Sequence, residues 1–177
     1  MNELIIRQLS VEIKNLHDKT IDQTAIRGFI SGASYSLKKA LKLNYSDYTD
    51  ISYLPEYRKQ LSIINGHMAR GKCPLSGQWL AGFYFNSALQ RLASGYERIL
   101  KLLIPSSEKK MTQKKRAKLA VEKGYISEAD NQIFKDIQDE VDRLKHDPFG
   151  SIKGREPSTD DAIKSLINLV KLFKRLC

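Results

Sequence analysis

Apolar residues recur at steps of three and four along most of this chain, the spacing of one face of an α-helix. The first stripe is Ile5, Leu9, Ile13 and Leu16, and a second runs Ile26, Ile30, Ala33, Leu37 and Leu41. The longest joins Ala81, Phe85, Ala88, Leu92, Tyr96, Ile99 and Leu103, about six turns at helical pitch. A fourth stripe, Ile133, Ile137, Val141 and Leu144, follows Ser127 with Asp130 three residues later, the arrangement of a capping box. The fifth is Ile163, Leu166, Val170 and Phe173, opened by Pro157, Ser158 and Thr159 as helix-start signals. No useful length of chain shows the two-residue alternation of a sheet. The pattern predicts an all-α protein.

Breaks in the pattern mark the joints. Residues 44–55 (NYSDYTDISYLP) are polar and rich in tyrosine, and residues 71–77 (GKCPLSG) read as a loop. A short helix over residues 56–68 is expected between them. Pro105 ends the long helix, and Pro148 with Gly150 ends the fourth one just after His146. The simplest architecture is a helical bundle over residues 77–177, with residues 1–70 as an N-terminal helical extension packed on it or exchanged with a partner. Isolated helices of this length are marginal in water and need tertiary burial.

Composition narrows the class. The chain has 177 residues, 41% of them hydrophobic and 28% charged, so one ordinary domain with a buried core is affordable. Disorder, collagen-like repeats and a coiled coil throughout are excluded as descriptions of the whole. Thirty Lys and Arg against twenty Asp and Glu give a formal charge of +10, which favours RNA or another polyanion as partner. Two cysteines, Cys73 and Cys177, are too few for a disulfide framework. The first residues lack the apolar core of a signal peptide, and no stretch has the roughly 18 apolar residues of a membrane span. A cytoplasmic setting without membrane contact is expected.

The search for chemistry leaves little. His17, His67 and His146 lie in different elements, without metal-ligand spacing, so no metal and no cofactor are expected. The densest basic run extends from Lys101 to Lys118: Lys101, Lys109, Lys110, Lys114, Lys115, Arg116 and Lys118 against Glu108, or +6. Such a cluster binds phosphates in a salt-sensitive, sequence-blind way, or it is a solvated connector. It contains no aromatic residue to stack on bases. The motif of greater interest closes the fourth helix. Arg143 and His146 are three apart and share a helix face. A histidine exchanging protons near neutral pH beside a phosphate-holding cation fits metal-independent RNA cleavage, with the ribose 2′-hydroxyl as nucleophile. The competing role for His146 is to cap the helix C-terminus.

The segment GYISEADNQIFKDIQDEVDRLKHD, with the long helix LAGFYFNSALQRLASGYERILKLLI before it, resembles the HEPN superfamily. These are small all-helical domains of toxin–antitoxin, phage-defence and RNA-processing systems. The likeness covers residues 77–177. It implies a HEPN-like bundle that pairs as a homodimer, binds RNA and acts as an endoribonuclease, with a partner protein or antitoxin. His146 matches the family histidine and Asp142 the polar position of its motif. The family arginine belongs five to seven residues before the histidine, where this chain has Val141, Glu140 and Asp139. Arg143 is the nearest substitute. Lys145, Lys153 and Arg155 flank the turn and are candidates to rebuild a cationic site. Arg91 and Arg98 lie on the long helix beside its apolar stripe, placed either to enter a groove near His146 or to snorkel over the core.

Two kinds of function compete on this reading. One is RNA binding with endoribonuclease activity, His146 moving the proton and Arg143 or Lys145 steadying phosphate. The other is a non-catalytic helical module that dimerises or docks on a partner. A nucleic-acid-binding subunit of a larger assembly, relying on Lys109 to Lys118, is a third.

Overall fold

A computed structural model describes residues 1–42, 77–105, 111–146 and 157–177, with the backbone alone at 77–83 and 144–146. Every described element is helical: α1 (Asn2–Lys14), α2 (Ile21–Lys42), α3 (Gly77–Leu103), α4 (Gln113–Glu122), α5 (Glu128–His146) and α6 (Thr159–Lys174). The all-α expectation therefore holds, as a bundle of six helices with no strand among the described residues. The helix expected over residues 56–68 lies outside the described residues.

The stripes found in the sequence become one core. Ile6, Leu9 and Ile13 of α1 and Ile26, Ile30, Ala33 and Leu37 of α2 are buried. They join Phe85, Ala88, Leu92, Tyr96 and Ile99 of α3 in a single apolar cluster. Among the described helices the pairing of α2 with α3 is the most extensive. It is antiparallel, because Asp22 meets Arg98 while Tyr35, further along α2, meets Tyr84. The first two helices thus share the core of the later ones, and α6 is held by α1, α2, α3 and α5. On α5 the buried face is set by Phe134, Ile137 and Val141, with Ile133 at its margin. Phe134 stacks on Tyr96, with ring centroids 3.8 Å apart and planes 4° from parallel.

Helix ends follow from local chemistry. The Ser158 side chain accepts from Asp161 N–H at 3.1 Å, and the Asp161 carboxylate accepts from Ser158 N–H at 2.9 Å, a reciprocal capping box. Ser127 and Asp130 do the same at the start of α5, as their spacing predicts.

The sequence pattern does not single out α4, because its residues belong to the basic run and its apolar positions, Ala117, Leu119, Ala120 and Val121, crowd into its second half. Its signals are nevertheless local. The Thr112 hydroxyl accepts from Lys115 N–H at 3.3 Å. At the other end Gly124, with φ of 69°, takes the left-handed conformation. The Gly124 N–H reaches Val121 O at 2.8 Å and the Tyr125 N–H reaches Ala120 O at 2.9 Å, the two bonds of a Schellman ending.

Candidate nucleic-acid interface and motif helix

On the motif helix the positions singled out in the sequence separate into buried and exposed. Arg143 is inside: its Nε and Nη2 donate to the two oxygens of Glu140 at 2.8 and 2.6 Å. The side chains are only 5% and 8% exposed. This guanidinium is committed to a carboxylate one turn earlier, not displayed on a surface that a phosphate backbone could approach. Asp142, by contrast, is exposed. It lines a cleft of about 200 Å³ with Gln90, Ser94, Glu97 and Gln138, a wall whose two charged groups are both acidic. Asp142 and Arg143, neighbours in sequence, therefore look in different directions. The backbone of α5 ends at His146. The side chains of Lys145 and His146, and residues Lys153 and Arg155, lie outside what the structure describes.

The basic run is likewise divided. Lys109 and Lys110 lie outside the described residues. Lys114, Lys115 and Lys118 are exposed on α4. Over residues 113–123 the chain has Lys114, Lys115, Arg116, Lys118 and Lys123 against Glu122 alone. That acid reaches Lys118 at 3.8 Å, with the lysine 79% exposed, a surface contact of little energetic weight. Arg116 behaves differently. It is half-buried and donates to Ile104 O at 2.5 Å, so it satisfies a carbonyl left over at the end of α3. Its part in the run is structural, and the exposed charge of α4 rests with its lysines.

Neither long-helix arginine turns toward the motif helix. Arg98 pairs with Asp22 of α2 at 2.9 Å. Arg91 lies over Gly32 of α2, where its Nη1 donates to Ser36 Oγ at 2.7 Å and to Ser87 Oγ at 2.8 Å. The apolar stripe of α3 places both arginines on that helix, but only the packing of α2 sets which neighbour they face.

Among the described residues no group of three His, Cys, Asp or Glu side chains is placed to hold a metal ion. None of the described helices is long and apolar enough to cross a membrane. Compared with protein-family models, curated proteins and solved structures, the chain matches none of them. The class defined by fold alone is that of an all-α helical bundle with a cationic short helix on its surface.

Proposed function

We propose that this protein is an RNA-binding helical bundle of HEPN-like type, working in the cytoplasm as a homodimer in a prokaryotic-type defence or stress system. The observation that carries the reading is α4. Three exposed lysines project from ten helical residues that contain a single acid. A surface of that kind contacts phosphates through charge, with counterion release as the driving force. The motif helix exposes Asp139 and Asp142, with Asp136 part-buried, so the phosphate backbone is drawn to α4 instead.

A second reading is favoured by the Arg143–Glu140 pair. A motif arginine consumed by a buried ion pair fits a non-catalytic module that keeps the helix for structure. The two readings part on one experiment. Fluorescent single-stranded RNA is titrated with wild type and with the Lys114→Glu/Lys115→Glu/Lys118→Glu variant at several salt concentrations, and RNA integrity is followed without metal beside His146→Ala. RNA binding predicts a steep salt dependence, flattened by about 2 in the log–log slope when three lysines are reversed. Cleavage lost in His146→Ala adds endoribonuclease activity. Intact RNA and no binding at low salt would leave the interaction module.

A further inference from the structure

Helix α1 has apolar residues on two faces, and the bundle buries one of them. Ile6, Leu9 and Ile13 are buried where α1 packs on α2 and α6. Leu4 and Val11, each two residues before one of those isoleucines, are 61% and 59% exposed. Their spacing of seven sets them on one line along the helix. Gln8 and Asn15, also exposed, continue that line at steps of four, three and four. With successive residues turned by about 100°, the line runs on the far side of α1 from Ile6 and Ile13.

The borders of this line carry opposite charges. Arg7 stands on one side and Glu12 on the other, both exposed. Five residues apart on one helix, they do not meet within a single chain. Arg7 Nη2 donates to Glu3 Oε1 at 2.9 Å, and Lys174 Nζ donates to Glu12 Oε2 at 2.5 Å. Both are surface pairs of little energetic weight, and they leave Arg7 Nη1 and Glu12 Oε1 over. In the heptad notation of paired helices, Leu4 and Val11 take d positions and Gln8 and Asn15 take a positions. Arg7 is then a g residue and Glu12 the next e residue, which face each other across a parallel pair. In an antiparallel pair the g residues Arg7 and Lys14 would face their own kind. The charges therefore select a parallel partner of the same sequence.

We propose that the outer face of α1 is a self-association surface whose occupant is α1 of a second copy of this chain. Leu4 and Val11 cover each other across a two-fold axis parallel to the helices, and each Arg7 reaches the other copy's Glu12. One surface meets itself, so the contact closes on two copies. Gln8, a polar a residue between the two apolar ones, fixes the register at a cost in stability. The inference rests on the homodimer reading above and places its interface on α1, not on α4 or the motif helix. A contact made by one helix of 13 residues is small, so the pairing belongs to the weak, concentration-dependent class.

The test is sedimentation of the full chain across the micromolar range. Wild type is expected to pass from one copy to two as its concentration rises. Leu4→Asp/Val11→Asp should weaken that association by about tenfold or more, because the pairing would bury unpaired carboxylates. Helicity by circular dichroism should be unchanged, since both side chains lie at the surface. Arg7→Glu and Glu12→Arg are each expected to weaken the pairing severalfold, and the two together to regain most of it. That recovery requires contact between copies, because within one chain the partners are Glu3 and Lys174. A wild type that stays monomeric throughout overturns the proposal together with the homodimer reading. A wild-type dimer that Leu4→Asp/Val11→Asp leaves intact overturns the α1 interface alone. So does a charge-swapped variant that pairs no better than its single parents.

Discussion

Glu140 and Arg143 form a two-point ion pair within the bundle, each carboxylate oxygen accepting one N–H at 2.6–2.8 Å. The position from which a HEPN-like motif would offer an arginine here offers the carboxylate that ties one down. Removing one member of a buried pair is far more costly than replacing both. Glu140→Ala is expected to lower stability by about 3–5 kcal/mol, whereas Glu140→Leu with Arg143→Met should recover most of it. Urea denaturation followed by circular dichroism reads both. A loss under about 1 kcal/mol in the single variant would place this pair with exposed ones.

Two glycines on α2 should respond in opposite senses to the same change. Gly28 is exposed and has nothing within 4 Å of an added Cβ. Gly28→Ala should therefore stabilise by about 0.5–1 kcal/mol through helix propensity. At Gly32 the new methyl would collide with the middle of the Arg91 side chain and displace it from Ser36 and Ser87. Gly32→Ala should lose that gain and fall below wild type in thermal melts. A rise in Tm for both variants would show that Arg91 yields freely.

The turn between α4 and α5 depends on Gly124. Its φ of 69° is one that a side chain disfavours, at about 1–2 kcal/mol. Gly124→Ala should cost about that much, while Gly124→Asn should cost less because asparagine tolerates the left-handed region. At the start of α6, Ser158→Ala removes half of the capping box, an expected loss of about 1 kcal/mol. Chemical denaturation midpoints at constant m-value check all three.

Alkaline pH should destabilise the fold through Tyr96. Burial, reinforced by Asp130, raises its phenol well above the ordinary tyrosine range. Its hydroxyl stands 3.1 Å from Asn131 Oδ1. The folded state therefore holds this proton where the unfolded chain releases it. That contribution is complete below about pH 10 and is lost as pH rises above it, by up to about 1.4 kcal/mol per unit. Tyr96→Phe should remove part of this loss between pH 9 and 11, leaving the slope due to the remaining groups. Identical slopes in the two proteins would contradict the assignment.

Most of the fold was legible because it rests on periodicity and caps, which act over three or four residues. Ile26, Ile30 and Ala33, or Leu166, Val170 and Phe173, are buried together because their spacing allows nothing else once a helix forms. Ser127 with Asp130 and Ser158 with Asp161 start α5 and α6 at the expected places. Helix α4 shows no long stripe because Ala117, Leu119, Ala120 and Val121 crowd into its second half behind three basic residues, although Thr112 and Gly124 bracket it.

The site was less legible for a different reason. Arg143 and Asp142 are adjacent in sequence, yet one is buried on Glu140 and the other lines an open cleft, since successive helical residues are turned by about 100°. Which of them meets solvent depends on where neighbouring helices lie. Likewise Arg116 and Lys115 stand side by side in one basic run, but only the end of α3 makes Arg116 a cap for Ile104. The sequence by itself determined that this protein is helical, where most helices begin and end, and that its charge is concentrated. Tertiary structure alone decided which charges remain at the surface, because burial and pairing are properties of apposed helix faces. It drew Arg143 inward, left the lysines of α4 outside, and set Arg91 over Gly32 on α2.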